Sequence, residues 1–176
     1  MVAKTSSLIQ RLRNSSNWAF IWAALGIFVS AYAYHVEKEF TTNKDFVATC
    51  DINSFISCTK VVETGHSTGF GFIGSVLGEE SILNQKNAVY GMAMYSVFLI
   101  LSRFRSPAFV RFNLYIAYSL IPATLYFLSI LFRLRTLCLV CILTYFVNGA
   151  LFVNTRRRKG LVDQMERSEE NNNKRD

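Results

Sequence analysis

The sequence predicts an all-α membrane protein: a four-transmembrane-helix bundle with a cap, part loop and part half-helix, between spans 1 and 2. Three observations predict it. Hydrophobic residues make up 51% of the 176 residues and charged residues only 18%, less polar surface than a soluble domain of this size needs. The apolar residues fall in long uncharged runs, near the ~20 residues that cross a hydrocarbon core of about 30 Å as a helix. The net charge of +7 gathers at the edges of those runs. That is a topology signal rather than a nucleic-acid-binding face, so no nucleic-acid partner is expected.

The first span covers 14–34, because no charged residue lies between Arg13 and His35. Trp18, Trp22, Tyr32 and Tyr34 lie toward its ends, where amphipathic rings favour the interface. Ala31-Tyr32-Ala33 has the form of a signal cleavage site, but the apolar stretch is longer than a signal peptide needs, and an uncleaved anchor is expected. The second span covers 87–103. Its apolar run, Ala88 to Ser102, is short, with Arg103 able to snorkel at one end and Asn87 at the other boundary. The third covers 111–132, and Pro122 at its middle predicts a kink. The fourth covers 136–155 and is uncharged.

Charge orients the bundle. Lys4, Arg11 and Arg13 precede the first span, Arg103, Arg105 and Arg111 link the second to the third, and Arg156-Arg157-Arg158-Lys159 follow the fourth. Segment 35–86 carries four Lys against seven Asp and Glu. Positive charge stays inside, so both termini and the 103–111 link are expected in the cytosol. The 35–86 cap and the 133–135 turn then lie opposite, although Arg133 and Arg135 count against it. Residues 1–155 read as a single membrane domain. Residues 156–176 read as a basic, then disordered, cytosolic tail.

This topology gathers all four cysteines on the side away from the cytosol, facing an oxidising compartment. Cys138 and Cys141 form Cys-x-x-Cys at the start of the fourth span. That spacing places two sulfurs one turn apart on one helix face, and a helix N-terminus favours a thiolate. The plain alternative is two small apolar side chains packed in a bundle. Cys50 and Cys58 lie in the cap, separated by seven residues, and need a bend to meet. They suit a structural disulfide or one half of an electron relay that passes electrons to the membrane pair. A zinc site from all four is disfavoured, since half its ligands would sit on a membrane helix and neither pair has a knuckle spacing with Gly. No metal is expected.

Together, Cys50-Asp51 to Cys58, Leu83-Asn84-Gln85-Lys86-Asn87 before the second span, and Cys138-x-x-Cys141-x3-Tyr145 resemble the vitamin K epoxide reductase family. Ala31 to Glu39 and Gly69 to Phe72 also look like it, and the likeness covers roughly 25–155. It implies that Cys138 and Cys141 are the catalytic pair that reduces quinone or epoxide, and that Cys50 and Cys58 are the electron shuttle, with Asp51 in support. Cys58 would attack the Cys138–Cys141 disulfide at Cys138, leaving Cys141 facing substrate. Asn87 and Tyr145 would hydrogen-bond the two oxygens of the naphthoquinone head. Each also has a plain reading: Asn87 as a cap of the second span, Tyr145 as a packed aromatic.

The resemblance further implies reduction of vitamin K 2,3-epoxide to the quinone and of the quinone to the hydroquinone. The setting is the endoplasmic reticulum membrane with a lumenal cap, the quinone is substrate, and no cofactor is held covalently. The lipid bilayer, a lumenal thioredoxin-like electron donor and coumarin-type inhibitors complete the implied partners. Vertebrate members carry an aromatic where this chain has Val62 and often Trp where it has His66. Both positions line the pocket mouth in the family, so the differences bear on substrate preference and coumarin sensitivity. His66 otherwise reads as a solvated loop residue, and Gly69 to Gly78 as an interfacial lid anchor. The same residues would serve a quinone-dependent thiol oxidase. A non-enzymatic tetraspan scaffold with structural cysteines is the alternative of a different class.

Overall fold

The computed structural model describes residues 2–53 and 55–174, with side chains from Ser6 onward. The side chain of Lys4, and Arg175 and Asp176 of the tail, therefore lie outside the described residues. Four long helices carry the fold: α1 (Val2–Thr42), α4 (Asn87–Arg103), α5 (Pro107–Leu134) and α6 (Leu139–Asn173). Two short ones, α2 (Thr59–Glu63) and α3 (Ile73–Leu77), and a 3₁₀ turn at Gly69–Gly71 belong to the segment between α1 and α4. No strand occurs among the described residues, which hold only isolated bridges at Ile56–Leu137 and Thr68–Lys86.

Among the described residues, three helices are long and apolar enough to cross a membrane: Ser6–Thr42 within α1, and all of α5 and α6. Their outward faces are apolar too. Only 22% of the most apolar stretch of α5 is buried within the protein, and Phe28, Tyr115, Phe132 and Phe146 point away from it. A helix that is apolar all round requires an apolar surrounding. At the centre, Ala23, Tyr95, Phe98, Ala117, Val147 and Leu151 join all four long helices in one core cluster. Gly26 lets α1 and α4 approach, since a Cβ there would fall 2.7 Å from the Tyr95 ring. Small residues bring membrane helices together in this way, because lipid supplies no hydrophobic drive between them. α5 starts with Pro107 at its first turn, where the missing N–H costs nothing, and continues unbroken through Pro122. It ends at Arg135 in the left-handed conformation (φ 49°), whose N–H returns to Leu131 and Phe132 carbonyls.

Two sequence expectations change. Residues 156–173, expected to be a basic and then, from 160, disordered tail, continue α6 as helix. Tertiary contacts hold them there: Val162 packs with Leu12 and Val110, with Leu161 and Met165 beside them. The buried Arg158 donates to the Ser102 and Phe104 carbonyls at 3.1 and 3.0 Å, satisfying the end of α4. Arg111 and Glu166 pair at 2.8 Å. The N-terminal part of α1, the α4–α5 link and the end of α6 thus share one end of the bundle. The second change is at the fourth span. Its helix begins at Leu139 rather than Thr136, because residue 137 pairs with the cap instead: Ser57 N–H donates to Leu137 O at 3.0 Å and Leu137 N–H to Phe55 O at 2.8 Å.

Candidate functional site

That small bridge sets the geometry of the cysteines. Cys58 follows the bridged Ser57, and Cys138 follows Leu137, so pairing the two backbones brings the cap pair to the membrane pair. Cys50, Cys58 and Cys138 share one buried cluster with Val36, Ala48 and Leu131. Cys50 and Cys58 form a disulfide, while Cys138 and Cys141 are thiols. Cys138 sits at the N-cap of α6, where its sulfur accepts the Cys141 N–H at 3.3 Å. Cys141, one turn on, is half-buried.

Asp51 organises the loop around the disulfide. Its carboxylate accepts the N–H of Cys58 at 2.5 Å and of Thr59 at 3.1 Å, the Thr59 hydroxyl, and the N–H of Ala48 at 3.3 Å. The first two donors open α2, so Asp51 performs an N-cap's task from seven residues upstream. Burial pushes its carboxyl up, but the Thr59 and Cys58 donors together hold it below the usual carboxylate range. Cys50, Asp51 and Cys58 present ligand atoms within 4.8 Å of one another. The two sulfurs, however, are bonded to each other, and the carboxylate is engaged by the loop.

Cys141 opens on a cavity of about 390 Å³, the size of a small-molecule site. Its walls are Ser30, Ala33 and Glu37 of α1, residues 87–95 of α4, 119–131 of α5 and Val140 to Asn148 of α6, closed on the cap side by Val61, His66 and Phe70. Asn87 and Tyr145 both line it. They differ in what they have to offer. The Tyr145 hydroxyl is buried and has no hydrogen-bond partner. The Asn87 side chain is already employed: Nδ2 donates to His66 O at 2.7 Å and Oδ1 accepts Phe70 N–H at 2.8 Å, leaving one amide hydrogen.

Asn87 thereby secures an unusual turn. Phe70 has φ 55° between Gly69 (φ 53°) and Gly71 (φ 80°). Left-handed backbone costs a non-glycine residue roughly 1–2 kcal/mol, and only surrounding contacts sustain it. Those contacts are Asn87, the Tyr126 hydroxyl on Phe70 O at 2.9 Å, and ring packing on Tyr90 and Phe127 at 5.0 and 5.9 Å. The turn aims Phe70 into the cavity while Phe72, Val76 and Leu77 face outward. His66, expected to be solvated, is part of the cavity wall, with its Nδ1 3.1 Å from Thr64 O. Val62 packs on the cysteine cluster, and its neighbour Val61 is the one that lines the cavity.

Sequence reasoning missed the rest of the polar lining. The Tyr95 hydroxyl donates to Asn148 Oδ1 at 2.7 Å, and Asn148 Nδ2 donates to Thr124 Oγ1 at 3.0 Å, a satisfied chain across three helices. Glu37 is a buried carboxyl with Oε2 unpartnered. Its only sequence signal was an acid just past an uncharged run.

A disulfide packed beside two thiols, one of them open to an apolar cavity among long apolar helices, suits a membrane thiol–disulfide oxidoreductase. Residues 17–155 match the model of the vitamin K epoxide reductase family. Over 129 residues the chain is 36% identical to vitamin K epoxide reductase complex subunit 1 of Rattus norvegicus, covering 73% of this chain and 80% of that protein. It is 32% identical to the Mus musculus protein of the same name, with the same coverage. The chain belongs to the vitamin K epoxide reductase family and is an oxidoreductase of that class.

Proposed function

We propose that this chain reduces vitamin K 2,3-epoxide to the quinone, and the quinone to the hydroquinone, at the Cys138/Cys141 dithiol. The observation that carries the reading is that Cys141 and a partnerless Tyr145 hydroxyl share one apolar cavity. Cys138, meanwhile, is packed against the Cys50–Cys58 disulfide. Cys141 as thiolate attacks an epoxide carbon; a C–S bond forms, the C–O bond breaks and the oxygen takes a proton. Cys138 then attacks the Cys141 sulfur. The S–S bond forms, the C–S electron pair returns to the ring, and the oxygen leaves as water. Two thiols supply the two electrons and two protons. Tyr145 donates to a substrate oxygen, and Asn87 donates its remaining amide hydrogen to the other.

Electrons return through Cys58, which attacks at Cys138, and the Cys50–Cys58 disulfide is then re-reduced by a thioredoxin-like lumenal protein. α4 is the second span in chain order and completes the set of four. Its 17 residues rise about 25 Å, and Arg103, lying over the Phe20 ring at 4.6 Å, reaches the interface at its end. Both termini face the cytosol and residues 35–86 form the lumenal cap in the endoplasmic reticulum, its first part, 35–42, being the end of α1 rather than loop. Coumarin-type inhibitors would occupy the same cavity.

Two measurements bear on this. Tyr145→Phe removes an unpartnered hydroxyl, so thermal stability should hold or rise while kcat/KM for epoxide falls by about 1–3 kcal/mol, the worth of a buried polar contact. Asn87→Ala should lose activity and also melt lower, because the Phe70 turn is released. Epoxide turnover by Tyr145→Phe equal to the parent would remove substrate from this cavity. Orientation is tested by Asp45→Thr, which completes a glycosylation acceptor at Asn43. That acceptor should be used, and the natural one at Asn14 should stay bare; the reverse pattern inverts the topology.

A further inference from the structure

Among the described residues lining the cavity, two buried side-chain oxygens lack a hydrogen-bond partner: Tyr145 Oη and Glu37 Oε2. The mechanism above uses the first and leaves the second idle. Glu37 is 7% exposed. It faces the cavity with Ser30 and Ala33, the i, i+3, i+7 stripe of α1. A carboxyl is among the groups least tolerated in an apolar interior without partners. Its neighbour Val36 packs in the cysteine cluster, and Cys141 lines the same cavity.

We propose that Glu37 is the proton relay of the reaction, taking the proton of the Cys141 thiol and returning it to the substrate oxygen. The proposal rests on the reading that Cys141 faces the substrate. In the first step the carboxylate accepts the thiol proton, leaving the Cys141 thiolate that attacks the epoxide carbon. In the second, the carboxyl gives that proton to the oxygen freed as the C–O bond breaks. Glu37 ends as it began. The second proton of the departing water comes from the Cys138 thiol as the disulfide closes, so protons and electrons balance without another reactant. Tyr145 cannot do this work near neutral pH, because a phenol holds its proton too firmly to cycle it. A carboxyl exchanges its proton readily in both directions.

The titratable groups that share the cavity are His66 from the cap, Tyr90 and Tyr95 from α4, and Cys141 and Tyr145 from α6. Lys86 stands at the start of α4. α5 contributes no ionisable side chain to the wall. Glu37 is therefore the one carboxyl there among the described residues.

The test is the pH profile of epoxide turnover by Glu37→Gln in membranes, with a small dithiol as reductant. Gln keeps the shape and removes a buried charge, so the variant should fold. At pH 7 turnover should fall by about a hundredfold or more, the lower end for lost acid–base catalysis. The defect should narrow as pH rises, because hydroxide then takes the thiol proton that the carboxylate would have taken. Glu37→Ala should regain turnover on addition of formate, which fits the vacated space. A Gln variant equal to the parent at every pH overturns the proposal, as does a loss that is uniform across pH and unrelieved by formate in the Ala variant. Failure of both variants to fold overturns it too, in favour of a structural carboxyl. A parent protein without epoxide turnover would instead defeat the functional reading on which the relay rests.

Discussion

Changing Cys138 or Cys141 to Ala should abolish epoxide turnover with every reductant, by about 10⁴-fold or more, the scale on which a lost nucleophile is felt. The two variants should fail at different points. Without Cys141 no bond to substrate forms, because the only thiol left is the buried Cys138, 3% exposed and turned toward the cap pair rather than the cavity. Without Cys138 the thiol at the cavity survives and can still attack. The adduct then has no second sulfur to resolve it, and one equivalent of substrate should stay attached to Cys141, visible as a mass increase on the peptide that contains it. Loss of turnover in Cys138→Ala with no adduct would point to Cys138 as the attacking sulfur. Full turnover in either variant would end the assignment of this pair.

Changing Cys50 or Cys58 to Ala should separate reductants rather than abolish chemistry. With a thioredoxin-like protein as donor, activity should disappear. With a small membrane-permeant dithiol, which reaches the Cys138–Cys141 disulfide unaided, most of it should remain. The structure adds a condition that the sequence does not show. Cys50 and Cys58 are only 6% and 3% exposed, so a protein donor must shift the 43–57 loop before it can attack. Val47, Ile52 and Phe55 of that loop are exposed beside the pair and give such a donor something to grip. The competing outcome is definite. If the loop variants lose activity equally with both reductants and also melt lower, by the about 2–4 kcal/mol a disulfide usually contributes, the pair is a structural clamp.

Much of this was readable from residue order, and the failures have a common cause. Uncharged runs located the long helices because the absence of charge over twenty residues is a local property. The end of α6 was misread because Arg156 to Lys159 look like a stop when only neighbours in sequence are considered. The helix continues because Val162 meets Leu12 and Val110 and because Arg158 finds the last carbonyls of α4. Cys138 lies outside the helix for a similar reason: its preceding residue pairs with Phe55 and Ser57, some eighty positions away. Asn87 was singled out for substrate, yet most of its hydrogen-bonding capacity holds the Phe70 turn. Glu37 was counted among the acids that orient the cap, and nothing local distinguishes a solvated glutamate from one folded against a cavity.

The pairing of Leu137 with the cap has a kinetic consequence. Among its contacts with the helices, the cap is held at its 48–59 segment by Leu137 and at its 66–70 turn by Asn87 and Tyr126. On the proposed mechanism, displacing the turn to admit a quinone would leave the Leu137 pairing in place, and Cys58 would stay close to Cys138 throughout a cycle. Thiol–disulfide exchange between them would then be unimolecular, with an effective concentration set by the tether and far above the millimolar thiols of solution. Once the cap pair is reduced, recovery of the membrane pair should proceed at a rate indifferent to how much free thiol surrounds the protein. The slow encounter would then fall at the cap pair, away from the chemistry at Cys141.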